Sequence, residues 1–254
     1  MQNVPEILGI IAGSGVYPAA MAAGARRAGV ARVAVAAFVD ETDPVLEPSV
    51  DEWEWLKVGQ LGKLSKFFQR HGVKQAVMCG QIAPKNLFAL SPDLRLLMML
   101  ARLKERNAET LFGGIADELA KDGITLLPAV SFLEDHLPAA GHLYGPVRKP
   151  KELLDVVFGL KIARETSRLD IGQTVVVRRG TVLAVEAFEG TNECIKRGGS
   201  MGKGKATVVK VSKPNQDFRF DVPVIGPKTI ETAAAAGILV LAIVTAVGGG
   251  TIRD

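Results

Sequence analysis

Short apolar runs alternate with stretches of helical period through the first half of the chain. Leu8 to Ala12 is apolar and ends in Gly13-Ser14-Gly15, after which Met21, Ala25 and Ala28 recur at helical spacing until Gly29. This reads as a strand, a tight turn and a helix. Val33 to Phe38 is a second apolar run, ending at Asp40, and Val73 to Cys79 is a third, ending in Gly80-Gln81. Leu94 to Lys104 and Ala108 to Lys121 read as helices, and Ile124 to Val130 as one more strand. Strands that alternate with helices predict an α/β domain on a parallel sheet.

The texture changes after residue 140. Gly141 to Lys149 is rich in Gly, Pro and basic residues, the composition of a linker. Glu152 to Leu169 reads as a helix, and Thr174 to Arg178 and Val182 to Phe188 as strands around a hairpin turn at Arg179-Gly180. The Gly-rich, basic Lys196 to Lys205 precedes a third strand, Ala206 to Ser212, and Ile230 to Gly237 reads as a short helix. The apolar run Ile238 to Val247 is far below the roughly 20 residues that cross a bilayer, so a buried strand is expected. The expected division is a parallel-sheet domain over residues 1–140, a linker at 141–150 and a smaller α+β domain over 151–254.

Composition narrows the classes. With 48% apolar and 23% charged residues, the 254-residue chain is a globular protein. The net charge of +4 comes from 31 basic and 27 acidic residues mixed along the chain, so nucleic acid is not an expected partner, whereas an anionic substrate or membrane surface is compatible. Cys79 and Cys194 lie far apart in unlike segments, which argues against a disulfide framework and for a cytoplasmic setting. Met1 to Glu6 lacks the pattern of an export signal, and the mature protein is expected to start there. His71, His136 and His142 show no zinc-ligand spacing, no Walker loop occurs, and Ser14 lacks the setting of a nucleophile elbow.

Four stretches carry candidate chemistry. Gly9, Gly13 and Gly15 surround the first strand-to-helix turn, where backbone amides and a helix N-terminus can receive a phosphate; simple turn geometry explains them equally. Pro18 stands where the dinucleotide fingerprint needs a third glycine, and no ribose-binding acid is clearly placed. Gly80, Gln81 and Lys85 follow the C-terminal end of another strand, where Lys85 faces either a phosphate or solvent. Glu186, Glu189, Thr191 and Asn192 cluster around Gly190, with Thr191 or Asn192 a candidate helix N-cap. Lys213, Asn215, Gln216, Asp217, Arg219 and Asp221 form the densest polar stretch, and in an extended segment Asp217, Arg219 and Asp221 share a face. Two such carboxylates can hold Mg²⁺ or orient a water, and the arginine between them can clamp phosphate oxygens. An ion-paired surface loop is the plain alternative.

Taken together, Gly9-Ile-Ile-Ala-Gly-Ser-Gly-Val-Tyr-Pro18, Gly80-Gln-Ile82, Asp170-Ile-Gly-Gln-Thr-Val-Val-Val177, Val185-Glu-Ala-Phe-Glu-Gly-Thr191 and Lys213-Pro-Asn-Gln-Asp-Phe-Arg-Phe-Asp-Val-Pro-Val-Ile-Gly-Pro227 resemble the LpxI family of UDP-2,3-diacylglucosamine pyrophosphatases of lipid A biosynthesis. The resemblance implies a Rossmann-like N-terminal domain and a family-specific C-terminal catalytic domain. It also implies Mg²⁺-dependent attack of water on the pyrophosphate, releasing UMP and 2,3-diacylglucosamine 1-phosphate. Asp217 then matches the essential acid, Asp217 and Asp221 are the expected metal ligands, and Arg219 joins them as a catalytic candidate. Gly13, Ser14, Gly15, Gly80, Gln81, Lys85, Glu189, Thr191, Asn192, Lys213 and Gln216 are the expected substrate contacts. The lipid-nucleotide substrate implies transient contact with the inner face of the inner membrane, and a homodimer is compatible with the pattern.

Two positions depart from the family. Asn192 stands where many relatives carry aspartate, and the ending Val244-Thr-Ala-Val-Gly-Gly-Gly-Thr-Ile-Arg-Asp254 differs from the strand and helix expected there, as in a truncated C-terminal domain. These motivate a competing reading, a nucleotide- or lipid-binding sensor with impaired catalysis. A nicotinamide-dependent oxidoreductase, the third reading, rests on the first glycine turn alone.

Overall fold

A computed structural model of the chain describes residues 4–82, 92–104, 108–136, 141, 150–212, 217, 219 and 225–244. The chain divides into two compact units, one of Met1–His136 with Asp217–Asp221, the other of Leu137–Gln216 with Val222–Asp254.

In the first unit the chain runs β1 (Ile7–Ala12), α1 (Tyr17–Arg27), β2 (Arg32–Phe38), β3 (Glu52–Leu56), α2 (Leu61–Arg70), β4 (Gln75–Cys79), α3 (Leu94–Arg102), α4 (Ala108–Lys121) and β5 (Thr125–Leu126). The strands form one parallel sheet in the order β3-β2-β1-β4-β5. Side chains alternate across the central strand, as a sheet covered on both faces requires. Leu8, Ile10 and Ala12 pack with Met21, Ala25 and Phe132, and Ile11 with Leu64, Phe67 and Phe68 on the opposite face. Gly9 keeps β1 close to its neighbours: a Cβ there would lie 2.8 Å from Val73.

Two features of this sheet differ from the sequence reading. β3 was not foreseen, because Glu52-Trp-Glu-Trp-Leu56 alternates charge with tryptophan at the sheet edge instead of forming an apolar run. The last strand is shorter than Ile124 to Val130. After the Leu127 amide bonds to the Ala76 carbonyl at 2.8 Å, Pro128 has no N–H to continue the ladder.

Helices α2, α3 and α4 are tied by one polar assembly. Arg95 of α3 donates to the Glu118 carboxylate at 3.0 Å, to the Glu118 carbonyl at 2.6 Å and to Asp122, which also accepts from Ser65 of α2. Asp93 caps α3 through the Leu96 amide at 2.9 Å and holds the Gly62 amide at 2.6 Å.

The second unit contains α5 (Leu154–Arg168), β6 (Thr174–Arg178), β7 (Thr181–Val185), α6 (Thr191–Gly202), β8 (Ala206–Val211), α7 (Pro227–Ala235) and β9 (Ile238–Val244). Its sheet has the order β7-β6-β8-β9, antiparallel except for the parallel pair β8 and β9. Ala163 of α5 covers one face, against Val175, Val177, Val209 and Val211. Cys194 and Ile195 of α6 cover the other, against Val176 and Val208. Arg179 and Gly180 both take positive φ, the geometry of a primed hairpin turn. β7 stops at Val185, short of the expected Phe188.

The Gly-rich stretch from Lys196 is helical through Gly202. Gly198 and Gly199 let α6 settle on its neighbours, since a Cβ would lie 2.4 Å from Val176 at the first and 2.5 Å from the Ala236 carbonyl oxygen at the second. Gly190 is the N-cap of α6, so neither Thr191 nor Asn192 takes that place, and their side chains are left for other contacts. Among the described residues, no helix is long and apolar enough to cross a membrane. The stretch Gly141 to Lys149, read as a linker, lies outside the described residues except for Gly141.

Candidate functional site

The order β3-β2-β1-β4-β5 reverses direction between β1 and β4, and open α/β sheets bind ligands beyond the carboxyl ends of strands at such a point. Both glycine-marked loops lie there, and they are bonded to each other. The Gly13 amide donates to the Cys79 carbonyl at 2.8 Å, the Ser14 amide and hydroxyl to the Gln81 carbonyl at 2.8 and 2.7 Å, and the Gln81 amide to the Ser14 carbonyl at 3.2 Å. Gly13 and Gly80 permit this contact, since a Cβ on either would fall within 2.7 Å of the other loop's backbone. The amides of Gly13 and Ser14 are thereby committed to protein carbonyls, so a phosphate cradle would have to use the turn from Gly15 onward. Gly15, at φ 92, faces open space.

Asp40 stands just past the carboxyl end of β2, exposed and with φ 65. This is where a fold of this order holds a ribose hydroxyl. The signal was an apolar run ending on an acid. Tyr17 at the start of α1 donates to the Ala129 carbonyl at 2.6 Å, and burial pushes its phenol far above the usual range. It is an anchor, not a titrating group.

Asp217 and Arg219 belong to the same unit as this sheet. Their geometry is a turn, with the Arg219 amide donating to Asp217 Oδ1 at 3.0 Å. The guanidinium then folds back over both carboxylate oxygens, Nε at 2.9 and 3.0 Å and Nη2 at 2.6 Å from Oδ2. The side chains remain partly exposed, 39% for Arg219 and 26% for Asp217. The Arg219 hydrogen bonds hold the Asp217 carboxyl below its ordinary value of 3.8, against the opposing effect of burial. Asp217 reinforces the charge of Arg219, and Asp117 on α4 adds to it. Asp117 was not singled out in the sequence; it sits on an exposed helical face among ordinary surface acids.

In the second unit, the Lys210 ammonium donates to the Thr191 hydroxyl at 2.7 Å, and that hydroxyl donates to Glu186 at 2.7 Å. An ammonium only donates, so the direction of this chain is fixed. The second Glu186 oxygen and the Asn192 side-chain oxygen are both buried and have no hydrogen-bond partner among the described residues. Lys210 escaped the sequence reading; its signal was a lysine inside the valine-rich strand β8. Glu189 instead pairs with Arg197, which holds its carboxyl below the ordinary value. Cys194 lies beneath this cluster, and burial pushes its thiol up to about 12, so it is inert packing.

Lys85, Lys213, Asn215, Gln216 and Asp221 lie outside the described residues. Among the described residues no three His, Cys, Asp or Glu side chains converge as a metal site. Asp217 nonetheless fits Mg²⁺ as one ligand: it is an ionised, partly exposed carboxylate already facing a cation, and Mg²⁺ commonly takes one or two carboxylates with the rest from phosphate and water.

Comparison with known proteins covers both units. Residues 7–136 match the LpxI N-terminal domain and residues 139–248 the LpxI C-terminal domain. A UDP-2,3-diacylglucosamine pyrophosphatase LpxI from Caulobacter vibrioides is 34% identical over 244 residues, spanning 91% of this chain and 85% of that protein. With both domain models matched in order and the identity sustained across both units, the chain belongs to the LpxI family.

Proposed function

We propose that this chain hydrolyses the pyrophosphate bond of UDP-2,3-diacylglucosamine, releasing UMP and 2,3-diacylglucosamine 1-phosphate for lipid A biosynthesis. The observation that carries the reading is the Asp217–Arg219 pair, an ionised acid and a phosphate-matching guanidinium on one turn, within a chain of this family.

In the reaction, a water oxygen bonds to one phosphorus as the bridging P–O bond breaks, the bridging oxygen leaves with the other phosphate as an anion, and the two water protons end on the phosphate products or in solvent. Such transfers ask mainly for positioning and for neutralisation of charge on the phosphoryl oxygens. Asp217 acts as an oxygen ligand that orients, held ionised by Arg219 until the substrate seats. Arg219 exchanges its bonds from Asp217 to the pyrophosphate, which frees the carboxylate as the substrate seats. Asp217, with Asp221, would hold Mg²⁺, whose charge offsets that of the pyrophosphate. Asp40 accepts from a ribose hydroxyl of the UMP portion.

The test is UMP release from UDP-2,3-diacylglucosamine with Mg²⁺ and with excess EDTA. Release that needs the metal supports the reading. Binding of the substrate without release would favour the sensor, with Asn192 the first residue to revert to aspartate.

A further inference from the structure

Helix α3 carries two apolar faces. Its inner face is spoken for: Leu96 and Met99 are buried against α2 and α4, and Gly114 of α4 lets Met99 sit so close that a Cβ there would lie 3.0 Å from its sulfur. Its outer face repeats the pattern toward solvent. Leu94, Leu97 and Met98 are 71%, 49% and 49% exposed, and Ala101 is exposed beside them. These positions follow i, i+3, i+4 and i+7, so they form one stripe. An apolar stripe of this kind on an anchored helix marks a surface that meets something apolar.

The charges around it are basic. Gly62 of α2 faces Asp93 and Arg95, and Lys66, four residues on, shares that side of α2; Lys63 is exposed next to it. Arg102 and Lys104 are exposed at the other end of α3, Arg102 only loosely paired with Glu118 at 3.7 Å. The nearby acids Asp93, Glu118 and Asp122 are engaged in capping or in binding Arg95, and Asp117 lies within electrostatic reach of Arg219.

We infer that the outer face of α3 is the surface by which this protein docks on an anionic lipid bilayer. The inference rests on the proposed reading to the extent that a diacylated substrate resides in a membrane. A second copy of the chain fits less well: a stable dimer covers about 800 Å² on each partner with some twenty residues, and this stripe offers four, ringed by like charge. A bilayer suits both features. Apolar side chains enter the acyl boundary while lysines and arginines meet anionic headgroups, and neither alone anchors a protein for long. The docking is therefore weak, reversible and sensitive to salt.

Flotation of the full chain with vesicles of phosphatidylethanolamine and phosphatidylglycerol, and with phosphatidylcholine alone, tests this. Wild type should partition to the anionic vesicles. Leu97→Glu with Met98→Glu should lower that partition at least tenfold, and Lys63→Gln with Lys66→Gln at least fivefold on anionic vesicles only. Both pairs should melt like wild type and release UMP from detergent-dispersed substrate at the wild-type rate, because neither touches the site. Unchanged partition in the Glu variant overturns the inference, as does a halved particle mass by light scattering, which would assign the face to a second copy. If wild type binds vesicles but releases no UMP in detergent, the proposed function falls and this surface stands.

Discussion

Two of the arginine–carboxylate assemblies of the first unit are built from the same groups and are held in opposite ways. Arg95 of α3 is held by two acids and a backbone carbonyl at the end of α4, with side chains 24% exposed for Arg95 and 11% and 21% for Glu118 and Asp122. Moving it would strand two acids and a carbonyl at the end of a neighbouring helix. Arg219 faces Asp217 two residues away on a turn, and both are more open to water. Water can replace either partner as they separate, so the second pair can exchange where the first cannot. Similar chemistry thus gives a clamp in one place and a releasable pair in the other, and the difference is set by connectivity and exposure.

Breaking the releasable pair should cost activity and little stability. Arg219→Gln is expected to lower kcat for UMP release about a hundredfold, with a melting curve close to that of wild type; Arg219→Lys should recover only part of the loss, because an ammonium lacks the paired donors. Breaking the clamp should do the reverse. Arg95→Met leaves Asp122 without its arginine and Glu118 with Lys121 and the distant Arg102 alone, and denaturant titration should show a loss of about 2 kcal/mol, between the values for exposed and buried pairs. UMP release by the folded fraction should be unchanged. Loss of activity without loss of stability in Arg95→Met would erase the distinction.

Acid sharpens the comparison more gently. Hydrogen bonding to Lys121 and Arg95 lowers the Glu118 pKa below 4.5, and bonding to Ser65 and Arg95 lowers that of Asp122 below 3.8. Their contribution to stability is therefore complete above the unfolded-state values and is lost as pH falls through the depressed ones. Melting temperature should hold through neutral pH and fall below about 4.5, and the Arg95→Met protein should show less of this acid dependence. The smallest effect belongs to Asp40→Asn, expected to raise KM about threefold at unchanged kcat, since one exposed hydrogen bond to a sugar hydroxyl is lost.

Much of this fold was legible because parallel strands buried on both faces leave apolar runs, as β1, β2 and β4 do. β3 was not, since an edge strand tolerates Glu52 and Glu54, and local pattern does not record what lies beside it. The helix after Gly190 was expected, but adjacent glycines such as Gly198 and Gly199 disfavour helix, and only their close approach to Val176 and Ala236 explains them. At the candidate site, Asp217 and Arg219 were visible as a dense polar stretch, and the family resemblance chose between ion pair and site. Their mutual bonding was not visible, nor was the use of the Gly13 and Ser14 amides by Gln81 and Cys79, because both depend on how distant or turning backbone is brought together. Lys210 was hidden for the same reason.

The central claim is that Asp217 works as an oriented, exchangeable carboxylate in pyrophosphate hydrolysis. Its most direct test is UMP release by Asp217→Ala at saturating UDP-2,3-diacylglucosamine and Mg²⁺, with substrate binding and the melting curve measured on the same preparation. The account predicts a loss of at least about a thousandfold in kcat, with binding retained and folding intact. Release within a few-fold of wild type from folded, substrate-bound Asp217→Ala would contradict it.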